Sequence, residues 1–285
     1  MIIDTNSLID KIGLGVCFVE LSLSLIVNSF ALRLLIKKKR DRKVSDLLIM
    51  HLCICEFLYA VWEMVNYSLL LHLKKSKGTV VHVVGEAILF SSIYQSILCV
   101  TLDRVLAVRL NIRYRAMVTK RRCLFLLPVL WMISIAVGLL IGLTSERVLL
   151  AMWISWDSIA GFTMISGYSY IFIIVVSQRR RFSGTSSLRN QLRLQVPLCI
   201  GGTFFCLWLI PDLIINIDRQ LYCVWILVLW FANIIFDPMV YVISSHYFRK
   251  RKASSYSVQS RSSATSWMSK RSCNEQTSIP LVERK

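Results

Sequence analysis

Residues 79–108 read TVVHVVGEAILFSSIYQSILCVTLDRVLAV, and only Glu86, Asp103 and Arg104 carry a formal charge. A bilayer core is crossed by roughly 20 mostly apolar residues in a helix. This stretch exceeds that requirement, and its charges sit near its two ends. Working outward, six further segments qualify: Ile12–Ile36, Ser45–Leu71, Arg122–Leu143, Leu149–Val176, Leu194–Ile217 and Leu221–Ser244. The fifth span in chain order, Leu149–Val176, is interrupted by Trp156-Asp157-Ser158. The expected architecture is an all-α membrane protein, a bundle of seven transmembrane helices.

Composition agrees with that reading. Of the 285 residues 55% are hydrophobic and 18% charged, and the mean hydropathy is +0.59. A soluble domain keeps a large polar exterior, which this chain cannot supply, so lipid is its natural solvent. The net charge of +18 does not imply nucleic acid, because the basic residues cluster between the apolar runs. Lys37–Lys43 (KKKRDRK), Arg109–Arg122, Gln178–Arg193 and the tail from Arg249 fall on one side if there are seven spans. Such clusters face the cytoplasm, which places the N-terminus outside and the tail inside. Lys74, Lys75 and Lys77 are a local exception on the outer side.

The expected organisation is a short extracellular N-terminus (1–11), the helical bundle (12–244), an amphipathic helix (245–252) and a disordered cytoplasmic tail (253–285). The first dozen residues carry two aspartates and no basic start to an apolar stretch, so no cleavable signal is expected. The tail is rich in Ser, Lys and Arg and offers sites for phosphate. Seven of the nine cysteines lie in or at the edges of apolar runs and read as small apolar fillers. Cys53 and Cys55, two apart on a helix, point apart and make a poor metal pair.

Charges near mid-bilayer cost about 2.5–3.5 kcal/mol each and so face a bundle interior. Glu20, Glu56, Glu63, Glu86, Asp212 and Asp237 are such acids, and Asn28 and Asn233 add uncharged polar groups. Any one of them could simply glue helices together through a hydrogen bond. Six acids on several helices suggest a polar, partly wet cavity.

Taken in order along the chain, these residues resemble the rhodopsin-like (class A) G-protein-coupled receptors. Asp103-Arg104-Val105 stands where that family carries Asp-Arg-Tyr, followed by Ile112-Arg113-Tyr114 of a similar second inner loop. Asn28 looks like the first-span asparagine and Trp131 like the fourth-span tryptophan. Phe205 and Pro211 fit the sixth-span pattern, and Asp237-Pro238-Met239-Val240-Tyr241 resembles the seventh-span Asn/Asp-Pro-x-x-Tyr motif. Phe248 fits the short inner amphipathic helix that follows. There are departures. Glu56 replaces the second-span aspartate, Trp208 lies three rather than two before Pro211, and Thr79 stands where most members carry a disulfide cysteine. Span five has no proline. The Asp-Pro form, the missing disulfide and the missing proline recur in receptors similar to the melanocortin-type group. The acids with which that group binds calcium are not reproduced.

The resemblance implies that Asp103, Arg104, Tyr114, Tyr170, Phe205, Pro211, Asp237, Pro238 and Tyr241 carry activation and coupling to a heterotrimeric G protein. Arg104 pairs with Asp103 at rest and turns toward the G protein when span six moves. The acid usual at the inner end of span six is absent from Arg189-Asn190-Gln191-Leu192, so raised ligand-independent signalling is expected. Glu56 and Asp237 should meet near Asn28 and Asn233. Two carboxylates in a low dielectric cannot both stay ionised without a counter-ion, so they share a proton or hold a sodium ion, and the shared proton is preferred. No other cofactor is expected. Glu86, seventeen positions before Asp103, stands where amine receptors of the family bind a ligand ammonium. Asp212, Ser155, Ser158, Trp225 and Phe231 complete the ligand candidates, the rings favouring a cation through their π faces. The implied ligand is a small amine or a basic peptide, and the tail's serines imply a kinase and arrestin.

Rival readings are weighed on residues. An opsin needs a seventh-span lysine, and Leu221–Ser244 has none. A transporter predicts inverted repeats or matched helix breaks, and the Gly201-Gly202 pair has no counterpart. A non-signalling partner receptor that regulates another membrane protein stays open because of Leu209 and the missing disulfide. An enzyme lacks a nucleophile–base set, with His51, His72, His82 and His246 scattered. His82, one turn before Glu86, can pair with it.

Overall fold

In a computed structural model, the protein is described over residues 8–37, 43–73, 80–110, 113–144, 146–181 and 226–240, and at the helical positions 202, 206–207, 210–211 and 214. All described regular structure is helical: α1 (Leu8–Lys37), α2 (Val44–Leu73), α3 (Val80–Leu110), the single turn α4 (Tyr114–Met117), α5 (Lys120–Leu143), α6 (Glu146–Arg181) and α7 (Ile226–Val240). Four of them, α1, α2, α3 and α5, are long and apolar enough to cross a membrane. Within the described residues, shorter apolar helices cover Gly161–Ile174 of α6 and Ile226–Val240. The sixth expected span lies almost wholly outside the described residues, as do the amphipathic helix and the tail.

Local chemistry sets the helix ends. Asp46, in the first turn of α2, accepts from the Lys43 backbone N–H at 2.8 Å, the back-reaching half of a capping box. Thr119 is extended (φ −101, ψ 154) and its side chain accepts from Arg122 N at the start of α5, satisfying one of the orphan amides of a helix N-terminus. The polar Trp156-Asp157-Ser158 interrupts the apolar run without breaking the helix. Helix α6 runs unbroken for 36 residues, because helix hydrogen bonds are internal to the backbone and do not depend on apolar side chains.

Burial identifies the centre of the bundle. Eight consecutive residues of α3, Phe90 to Ile97, are buried, so no side of the helix faces outward there. Helix α3 packs against α2, α5 and α6, and α1 packs against α2. By contrast Phe125 is 79% exposed, Phe162 75% and Val19 69%. In water those rings and branches would be costly, whereas in a bilayer they are the lipid-facing surface. Close approach needs small residues. A Cβ on Gly138 would meet the Ile88 side chain and the Val84 carbonyl, and four residues on a Cβ at Gly142 would meet Val84, which places α5 directly on α3. At the other side of α3, Gly85 lies against the Trp62 indole of α2 with no room for a side chain.

Candidate functional site

Three polar layers lie inside the bundle. At the N-terminal end of α3, α2 supplies Glu63, 2% exposed, and α3 supplies His82 and Glu86 one turn apart. His82 Nδ1 lies 3.3 Å from Glu86 Oε2, with the Glu86 side chain 38% exposed and the imidazole 8%. One donor atom from each of Glu63, His82 and Glu86 lies within 4.8 Å of the others. The Trp62–Gly85 contact accounts for this meeting, since each of those residues is the chain neighbour of one of the acids.

In the middle layer Asn28, Glu56, Asn233 and Asp237 are all buried to within 1%. The Asn28 amide donates to Ser24 Oγ at 3.2 Å and to the Ile234 carbonyl at 3.3 Å, tying α1 to α7. Glu56 faces Asp237, with Asn28 beside it. Neither Glu56 oxygen meets a donor at full hydrogen-bond geometry among the described residues. Two carboxylates are both acceptors, so a bond between them needs a proton. Cys53 feels the charge of both acids and belongs to this layer.

In the inner layer Asp103 is 5% exposed. Its carboxylate lies 3.7 Å from Arg104 Nε and accepts a short hydrogen bond from the Tyr114 hydroxyl. Tyr114 opens α4, in the inner loop. Burial pushes its phenol above the ordinary range, and the bond to Asp103 and that carboxylate's charge push the same way, against Arg104. The phenol therefore stays protonated and remains a donor at physiological pH. Arg122 closes the loop, its guanidinium donating to the Met117 carbonyl at 2.6 Å.

Other sequence candidates are placed as follows. The Phe231 ring is 1% exposed and packs among Tyr59 and Tyr67, with ring centroids 6.4 Å and 6.0 Å away. Ser155, Ser158 and Tyr170 lie on exposed faces of α6. On the same helix Tyr168 contacts Thr101 of α3 at 3.2 Å. Pro211 and Pro238 are buried. Phe205, Asp212, Trp225 and Tyr241 lie outside the described residues.

Two contacts were not anticipated from sequence. His51 of α2 bonds Ser96 of α3 at 2.7 Å, and its ring meets the Trp131 indole of α5 edge-on at 5.9 Å. Gln95 donates to Ser134 of α5 at 3.2 Å. The first joins α2, α3 and α5 and the second joins α3 and α5, and no local motif marks them.

A helical bundle with an apolar exterior, a polar interior and an Asp-Arg pair near the C-terminal end of its central helix is the architecture of a multi-pass membrane protein, and the family match makes its class a seven-helix membrane receptor. The chain belongs to the family described as serpentine type 7TM GPCR chemoreceptor Srsx, whose model matches residues 21–178, more than half of the 285 residues. The match runs from α1 through most of α6 and takes in Glu86, Asp103 and Arg104. The chain is also similar to human melanocortin receptor 5, 24% identical over 257 residues that cover 80% of this chain and 79% of the relative. The mouse melanocortin receptor 5 is 24% identical over 272 residues, covering 85% and 83%. The protein is thus a multi-pass membrane receptor of the G-protein-coupled type.

Proposed function

We propose that this receptor sits in the plasma membrane with its N-terminus outside and transduces binding of an extracellular cationic ligand, an amine or basic peptide, to a heterotrimeric G protein. The observation that carries the coupling part is the Asp103–Arg104 pair held by Tyr114. A guanidinium beside a carboxylate is a two-state element: it pairs locally, or it turns to a partner's carbonyl. Tyr114 belongs to the inner loop, so a partner that moves the loop withdraws a donor from Asp103 and alters the pair. Glu86 is the ligand anchor on this reading, because it is the exposed member of a buried acidic cluster.

The test is G-protein activation in cells displaying wild type, Arg104→Ala and Glu86→Gln at matched surface levels, across a panel of amines and basic peptides. A wild-type response lost in both variants is expected. Loss only in Arg104→Ala keeps the receptor and discards the cationic site, and a full response of Arg104→Ala discards the switch. Wild-type basal output above that of empty-vector cells is also expected, since Arg189-Asn190-Gln191-Leu192 carries no acid to restrain Arg104. In the middle layer Glu56 and Asp237 share one proton. A sodium-dependent shift in agonist affinity, abolished by Glu56→Gln, would replace the proton by sodium.

A further inference from the structure

We infer that Glu63, His82 and Glu86 form a binding site for a zinc-type divalent cation at the outer ends of α2 and α3. Ligand atoms around a tetrahedral ion at about 2.0–2.2 Å lie roughly 3.4 Å from one another. His82 Nδ1 and Glu86 Oε2 already stand 3.3 Å apart, and a Glu63 oxygen completes a set whose members all lie within 4.8 Å. His82 and Glu86 are four residues apart on one helix, so they project from the same face. Glu63 is held opposite them by the contact of its neighbour Trp62 with Gly85.

The donor set selects the ion. One imidazole and two carboxylates suit zinc and its neighbours among the transition metals, whereas calcium and magnesium prefer oxygen alone. A divalent cation would meet two carboxylates and an imidazole there, charge and lone pairs together. Three protein ligands leave a fourth position open. Two of the three residues are buried, while the 38% exposure of Glu86 leaves a way in for the ion. Occupancy neutralises Glu86 and so opposes a cationic ligand. That consequence rests on the role of Glu86 proposed above, while the binding of zinc does not.

The experiment titrates zinc chloride into full-length receptor in nanodiscs, followed by calorimetry and by the thermal melt, for wild type, His82→Ala, Glu63→Gln and, as an acid outside the trio, Glu20→Gln. Wild type and Glu20→Gln should bind one zinc and gain thermal stability from it. His82→Ala and Glu63→Gln should each bind at least tenfold more weakly. Melts without zinc identify any variant that fails to fold, and His82→Gln then replaces His82→Ala. An unchanged isotherm in both trio variants would put the ion elsewhere and overturn the site. Displacement of zinc by an equal concentration of calcium would overturn the choice of ion. Zinc binding in a receptor silent toward every amine and peptide keeps the metal site and discards the signalling reading, so the two failures are told apart.

Discussion

The C-terminal and N-terminal ends of α3 solve the same problem in opposite ways. At the C-terminal end Asp103 is buried, but its opposite charge is the next residue, Arg104, and a neutral donor arrives from the loop as Tyr114. At the N-terminal end two acids meet, and the group beside them is an imidazole, which is cationic only when protonated. Buried charge needs a partner. A carboxylate paired with the next residue can act as a switch, because opening it costs a defined pair. Two acids and an imidazole converging on one point are a set that a cation can join.

The largest effect that would break this comparison is expected at Gly85. Any side chain there meets the Trp62 indole, and overpacking of this kind costs about 1–3 kcal/mol. Gly85→Val should sharply reduce surface receptor, and adding Trp62→Ala should restore it while leaving the outer acids misaligned. Flow cytometry of surface receptor checks the first part. Normal display of Gly85→Val alone would mean that α2 and α3 do not approach as described.

Tyr114→Phe sharpens the Asp103 half. It removes one hydrogen bond to a carboxylate, worth about 1.5 kcal/mol, or roughly tenfold in an equilibrium. Basal G-protein activation should rise, by at most that factor, and apparent agonist affinity should rise with it. A fall in basal output would show that Tyr114 supports the signalling arrangement rather than the resting one.

The smallest change belongs to the polar contacts between the two ends. Gln95→Leu removes the links to Ser91 and Ser134. Interhelical hydrogen bonds in bilayers average about 0.6 kcal/mol, which corresponds to a fall of roughly 1–2 °C in the melting temperature. Signalling at matched surface levels should be unaltered. A loss of signalling comparable to that of Arg104→Ala would extend the switch along α3 and remove the distinction between its ends and its middle.

Much of this was legible before any tertiary contact was known. Length and apolarity mark α1, α2, α3 and α5, because in lipid a helix is the only way a single segment satisfies its own backbone. Asp103-Arg104 was legible because its partners are adjacent in the chain, and His82–Glu86 because one helical turn joins them. Trp156-Asp157-Ser158 interrupts the apolar run and not the helix, because polar side chains leave backbone hydrogen bonds intact.

What the sequence determined by itself is therefore what local geometry and solvent determine: helical segments, their lipid-seeking character, and pairs within a turn of one another. The tertiary structure decided which distant residues share a site. Glu63 joined His82 and Glu86, His51 joined Ser96 and Trp131, and Phe231 went into packing with Tyr59 and Tyr67. The physical reason is that helix rotation and approach are set by packing, by a glycine such as Gly85 against an indole such as Trp62. No spacing along one helix records how its neighbour is turned.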